Sequence, residues 1–335
     1  MTEPLVSVTM VAYNVSPFIR QAIESVLRQK TNFPFELVIG EDCSTDETRE
    51  IILEYRDRYP NTIRVVSSDK NVGLVKNYIR TMKACRGKYI AFCDGDDFWQ
   101  NTEKLQKQIS HLEAHSTCGL VYSDYDVHFT GSGRTINNFI KHRKWDMPQD
   151  WTVSEFIACG GDSSLGILTC NTVIRSELYK LISESDPFLH QSCHFLLVDT
   201  QIWAEIASIS SVHFIPESMA TYNITSESAT RSGDPKKRLR FAMSNAELML
   251  YLCDKYEVSQ TIRNRYLRYW CGSSLRLSFY TLDVTIATRV KATVGSLSWK
   301  EWILYYGTKN RNFNILCQII INVRKLFMHD HNDWA

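Results

Sequence analysis

Alternation constrains this chain more than any other feature. Through the first 127 residues, short β-branched runs are each followed by a segment of helical periodicity. Leu5–Tyr13 (LVSVTMVAY), Phe35–Gly40 (FELVIG), Ile63–Ser67, Tyr89–Cys93 and Leu120–Val127 read as strands. Between them, Ser16-Pro17 supplies an N-cap and a first helical position for Phe18, Ile19, Ala22, Ile23, Val26 and Leu27. Arg49–Tyr59, Val75–Cys85 and Glu103–His115 read as further helices. Strands that alternate with helices imply right-handed βαβ units and a mostly parallel sheet flanked by helices. The predicted class is therefore α/β, Rossmann-like.

Beyond residue 127 the pattern loosens. Gly131–Asp150 is polar and irregular, a candidate loop over a site. Ile167–Arg175 and Val212–Thr225 read as strands, with a helix near Asp199–Ser208. After Gly233-Asp234-Pro235 the strand signals fade, and Lys236–Asp254 and Gln260–Tyr280 read as helices. This divides the chain into residues 1–230 and a helical extension, 231–335.

Charge follows the same division. The whole chain has a net charge of +1, but residues 231–335 hold 17 Lys and Arg against 8 Asp and Glu. A basic third after an acidic two-thirds suggests contact with an anionic surface, and an ordinary basic helical domain explains it about as well. Trp299, Trp302, Tyr305 and Tyr306, interleaved with Lys300, Lys309 and Arg311, fit that contact, and a core-packing helix pair explains them nearly as well. The ten cysteines form no C-x-x-C pair, as expected of free thiols in a reducing compartment. No secretory leader and no apolar run of membrane-spanning length is legible, so the expectation is a cytoplasmic protein, peripheral on the inner face of the membrane.

In parallel sheets ligands bind beyond the carboxyl ends of the strands. Three polar clusters fall there: Ala12-Tyr13-Asn14, Glu41–Asp46 (EDCSTD) and Asp94-Gly95-Asp96-Asp97. The last places three acids in four positions at the end of a buried-looking strand. Such crowding requires water, protonation or a cation. A hard ion such as Mg2+ or Mn2+ takes one or two carboxylates together with waters and substrate phosphates. Gly95 would allow a sharp turn that aims both flanking acids one way. The P-loop, dinucleotide and EF-hand patterns are missing. A solvated acidic turn is the plain alternative.

SVTMVAYN, GEDCSTDET, NVGLVKN (71–77) and YIAFCDGDDFW, in that order, resemble the successive motifs of the family 2 inverting glycosyltransferases of bacterial surface-polysaccharide type. The resemblance covers residues 1–127 well and extends loosely to about 230. It implies a GT-A fold, Mg2+ or Mn2+, and transfer of a hexosyl or N-acetylhexosaminyl group. The donor would be a nucleotide sugar, most simply a UDP-sugar. The acceptor would be a glycan or a lipid-linked hydroxyl, and nucleic acid is not an expected partner.

The resemblance also implies roles. Ala12, Tyr13 and Asn14 would line the nucleotide pocket, and Asp42 would read the base edge. Lys76, beside Asn77, would lie near base and phosphates. Asp94 would contact the ribose and Asp96 would hold the metal, with Asp97 in support and Trp99 packed beneath. Ser44 and Asp46 read as helix caps.

Asp199 in LLVDTQIWAEIA matches the family's catalytic base, although Val198 replaces the usual preceding Glu; a helix-capping Asp is the structural alternative. Asn223 and Thr225 replace an Arg and a His that can reach the diphosphate, a loss that Ser228, Thr230 or Arg231 could supply. His190, Cys193 and His194 sit among Phe188, Leu189, Phe195 and Leu196 and read as packed residues, and the terminal MHDHNDWA as a frayed end. Two competing readings are a nucleotidyltransferase, disfavoured because AYNVSPF is neither Gly-rich nor basic, and an inert sugar-nucleotide-binding protein.

Overall fold

Val6–Ala12 (β1), Phe35–Glu41 (β2), Ile63–Ser67 (β3) and Tyr89–Phe92 (β4) build a parallel half-sheet in the order β3-β2-β1-β4. The computed structural model describes residues 3–145, 151–159, 166–225 and 233–327, with side chains through Ile319. β1 and β4 are buried along their whole length, as a near-continuous apolar run in a two-sided sheet demands. The crossovers are Ile19–Leu27 (α1), Thr48–Arg58 (α2) and Leu74–Ala84 (α3). α1 buries Ile19, Ala22, Ile23 and Val26, one stripe at helical spacing. α3 lies close on β2: a Cβ at Gly40 would stand 1.9 Å from Thr81 Oγ1 and 2.6 Å from Asn77 Oδ1. Only glycine permits that approach.

The sheet then changes direction. Phe98–Trp99 (β5), Lys104–Ala114 (α4), Cys118–Phe129 (β6), Arg134–Ile136 (β7), Phe139–His142 (α5) and Val153–Cys159 (α6) precede Thr172–Arg175 (β8). β8 runs antiparallel between β4 and β6. It starts at Thr172 instead of Ile167, because residues 168–172 form a turn. There Asn171 Oδ1 accepts the Leu168 N–H at 3.0 Å, and Thr172 N–H donates to the Thr169 carbonyl at 3.2 Å. Ser176–Ser185 (α7), Pro187–Gln191 (α8) and Thr200–Ile209 (α9) lead to Ser211–Ile224 (β9), which pairs parallel with β6 and antiparallel with β5. β7 forms a hairpin with β6. The longest ladders, β1–β2 and β6–β9, are parallel.

The chain divides into two compact units. The first is Met1–Ser226 together with Lys255–Val258, and the second is Glu227–Asp254 with Ser259–Ala335. The short return of the chain into the first unit is pinned by charge. Lys255 Nζ bonds Asp186 at 2.7 Å and Glu205 at 2.8 Å, and the Tyr256 hydroxyl donates to Glu205. His190 Nε2 faces the other Glu205 oxygen at 3.4 Å. Burial would raise the Glu205 carboxyl, but its bonds from His190, Lys255 and Tyr256 outweigh that and hold it below its ordinary value.

The second unit is helical: Pro235–Lys255 (α10, all but its last residue), Gln260–Thr281 (α11), Val284–Val294 (α12), Trp299–Lys309 (α13) and Arg311–Phe327 (α14). Its core gathers Ala246, Trp270, Leu275, Ala287 and Val290, with Leu304 and Tyr305 packed against them. Asp283 caps α12 through the Thr285 and Ile286 amides, and Ser298 with Glu301 forms a capping box on α13. Among the described residues, no helix is long and apolar enough to cross a membrane.

Candidate active site

At the carboxyl ends of β1 and β2 the two loops hold each other. Asn14, left-handed at φ 52°, accepts the Thr45 N–H at 2.8 Å through Oδ1, and its own N–H donates to Ser44 Oγ at 3.2 Å. Asn tolerates this backbone region better than most residues. Asp46 accepts from Ser16 N and Thr48 N, both at 3.0 Å, so it joins the two loops as well as serving the start of α2. Ser44 caps nothing; its hydroxyl is spent on Asn14. Tyr13 is 44% exposed beside them, and the buried Ala12 accepts the Asp42 N–H through its carbonyl.

Asp42 is buried and already engaged. Its two oxygens each accept a backbone amide at 2.9 Å, from Val72 and Gly73, and Arg80 approaches at 3.6 Å. It thereby fixes the loop that opens α3. On that helix Lys76 is exposed, whereas Asn77 is buried, donating to the Gly40 carbonyl at 2.8 Å and accepting from Arg80 Nε at 2.9 Å. Arg80 also donates to the Glu41 carbonyl at 2.7 Å. This latch between α3 and β2 carried no sequence signal beyond the identity of its residues.

The acidic turn sits against β1. Gly95 N–H donates to the Val11 carbonyl at 3.0 Å, and a Cβ there would meet that oxygen at 3.0 Å and Ile19 Cδ1 at 3.1 Å. Gly95 is needed for close approach, not for a left-handed turn, since its φ is not positive. Asp94 is held from two sides, by the Thr169 hydroxyl at 2.8 Å and the Tyr78 hydroxyl at 3.3 Å. Burial pushes its carboxyl up to about 7, with the charge of Asp96 adding to the effect. Burial also raises Asp96, and lifts Asp97 well above the carboxylate range, with Asp96 and Asp94 contributing. Three such groups cannot all ionise cheaply without a counter-ion.

Asn223 on β9 braces this turn. Its N–H donates to Asp97 Oδ1 at 2.8 Å and its Nδ2 to the Asp96 carbonyl at 2.6 Å. The residue that departs from the expected diphosphate-binding pattern thus holds the backbone of the acids instead. Trp99 lies in the core beneath, donating to the Cys170 carbonyl at 2.8 Å. Ser228, Thr230, Arg231 and the terminal MHDHNDWA lie outside the described residues.

Asp199 is the N-cap of α9, accepting the Thr200 N–H at 2.7 Å. Its charge reaches both Tyr78 and Asp94, so α9 brings it to the same edge as the acidic turn. The cap geometry and the catalytic expectation therefore coexist on one side chain. Among the described residues, no three His, Cys, Asp or Glu side chains close on a common point as a metal cage would.

Residues 7–162 match the family model described as Glycosyl transferase family 2. This segment is a family 2 glycosyltransferase domain. Among its relatives, the uncharacterized protein Rv1520 of Mycobacterium tuberculosis is 40% identical over 109 residues, 32% of each chain. The chain thus covers about a third of that relative's length. The E. coli UDP-Glc:alpha-D-GlcNAc-diphosphoundecaprenol beta-1,3-glucosyltransferase WfgD is 29% identical over 204 residues, 61% of this chain and 74% of that one. Of solved structures, S. aureus TarS 1-349 in complex with UDP-GlcNAc aligns with a TM-score of 0.54 at 17% identity, covering 92% of this chain and 88% of that one. The Pyrobaculum calidifontis mannosyltransferase PcManGT, in complex with GDP-Man and Mn2+, aligns with a TM-score of 0.54 at 14% identity, over 95% and 87%. The glycosyltransferase domain has the GT-A type of α/β fold, and a helical region follows it.

Proposed function

We propose that the chain is a metal-dependent inverting glycosyltransferase of surface-polysaccharide synthesis. It would transfer a sugar from a nucleoside diphosphate donor, a UDP-sugar in the simplest case, to a glycan or lipid-linked hydroxyl. One observation supports this reading: Asp199, more than a hundred positions along the chain, comes within electrostatic reach of Asp94, which lies beside Asp96 at the carboxyl end of β4. The donors named for TarS and PcManGT, and the lipid diphosphate named for WfgD, support the substrate classes.

The nucleotide would lie across Ala12, Tyr13, Asn14, Asp42 and Lys76, with its ribose at Asp94. Each Asp42 oxygen keeps a further lone pair beside its loop amide, enough to accept a base N–H. Asp96 would hold Mg2+ or Mn2+. When bound, the ion supplies charge stabilisation for the departing diphosphate. Asp199 would take the acceptor's proton as the hydroxyl attacks the anomeric carbon from the opposite face.

Two substitutions separate these roles. Asp96→Asn is expected to abolish metal-dependent UDP binding in titration calorimetry. Asp199→Asn should bind UDP normally and lose transfer by about 10²–10⁴-fold; near-normal transfer would remove it as the base. Release of UDP from a panel of sugar nucleotides with Mn2+, abolished by chelator, is the direct assay. Release of pyrophosphate instead would make the chain a nucleotidyltransferase.

A further inference from the structure

The second unit leaves an apolar face uncovered. On α13, Leu304, Tyr305, Gly307 and Thr308 turn inward, the first two against the helical core and the last two buried. Trp299, Trp302, Ile303 and Tyr306 lie opposite, and all four are exposed, Trp299 by 69%. Their spacing of three, one and three residues makes one stripe along the helix. A ring contact between Tyr306 and Phe313, at 5.3 Å, carries the stripe to α14, where Ile315, Leu316 and Ile319 are also exposed. These seven are among the seventeen large apolar side chains exposed among the described residues, and they fall within 21 consecutive positions. So dense a patch marks a contact surface.

Charge decides what it contacts. From Val284 through Ile319 the bases are Arg289, Lys291, Lys300, Lys309 and Arg311, against the single acid Glu301. Glu301 is occupied by the capping box and Arg289 by Glu247. The lysines lie along the aromatic residues themselves: Lys291 Nζ stands 4.9 Å from the Trp302 ring, Lys300 5.4 Å from Trp299 and Lys309 4.6 Å from Tyr305. At 100° per residue, Lys300 and Lys309 fall on opposite flanks of the stripe. A second protein copy would bring these cations against their own kind. An anionic lipid surface satisfies both parts at once, since indole and phenol rings settle at the headgroup level while lysines reach anionic phosphates.

We propose that the Trp299–Tyr306 face of α13, continued onto α14, docks the protein on an anionic membrane surface. The inference is independent of the transfer reaction and is tested without it. Full-length protein is sedimented with sucrose-loaded vesicles of phosphatidylcholine, alone or mixed with phosphatidylglycerol. Binding should require the anionic lipid and weaken with salt. Replacing Trp299, Trp302, Ile303 and Tyr306 by serine should weaken it at least tenfold. Lys300→Gln and Lys309→Gln should each cost about fivefold and flatten the salt dependence. Circular dichroism melts identify variants that keep their fold, and single Trp299→Ser and Trp302→Ser proteins serve where the fourfold variant does not. Failure of wild type to bind anionic vesicles, or equal binding by the folded variants, would overturn the proposal. So would a dimer, seen by light scattering, that the same serine substitutions dissociate.

Discussion

Lys104 is wholly buried, its ammonium 2.7 Å from Gln108 Oε1 and 4.3 Å over the Trp99 ring, and no carboxylate among the described residues pairs with it. Burial lowers it from 10.5 to about 7. From pH 7 to 10.5 the unfolded chain keeps a proton that the folded protein has released, so stability rises with pH across that window. Below about 7 both states are charged and the penalty is present in full. Lys104→Met should therefore stabilise the fold in urea melts at acid pH, by up to about 5 kcal/mol, with the advantage vanishing toward pH 10.5. Asn223 invites the opposite test. Removing its brace with Asn223→Ala should weaken Mn2+-dependent UDP binding about 10–100-fold, the usual range for residues that orient metal ligands. Asp94 and Asp96 were legible in sequence as candidates through their crowding at a strand end, and Asp199 through the family resemblance alone. Asn223, Thr169 and Tyr78 were not. Asn223 acts across 127 positions from Asp96 and Thr169 across 75 from Asp94, and nothing local marks an amide or a hydroxyl as a brace.

Among the elements, α3 shows how closely a helix can be specified by one residue of the strand beneath it. Gly40→Ala would drive a methyl group into Thr81 and Asn77. The expected cost is about 1–3 kcal/mol, the range for overpacked cores, together with loss of the Asn77 bond to the Gly40 carbonyl. Thermal melts would register the first and weakened UDP binding the second, because the same helix carries Tyr78 to Asp94. The βαβ units from β1 to β4 were legible because each strand is an apolar run closed by a turn signal. β8 was legible as a strand within Ile167–Arg175, but its length of only four residues and its reversal between β4 and β6 were not, since these depend on partners from distant parts of the chain. Short α5, α6 and α8 escaped because they have too few turns to show a period.

For the molecule as a whole, the sequence led to the expectation of a boundary near residue 230, whereas the first compact unit ends at Ser226 and takes in Lys255–Val258 as well. A chain ending at residue 230 would leave Asp186 and the buried Glu205 without Lys255 and Tyr256. Breaking such a buried pair costs about 3–5 kcal/mol. Its urea midpoint should fall accordingly, and Lys255→Met in the full chain should reproduce much of the loss. The sequence could not reveal this, because a lone Lys at a helix end looks like an ordinary solvated charge. The same return of the chain sets an order of events during synthesis. The amino-terminal unit cannot close its last ion pair until residues 255 and 256 have been added, after most of α10 exists. At roughly 5–20 residues per second, the ribosome spends about 1.5–6 s between residue 226 and that moment. For that interval a nascent glycosyltransferase domain holds its interior glutamate against His190 but without Lys255 and Tyr256, and a chaperone or a stalled ribosome would meet it in that state.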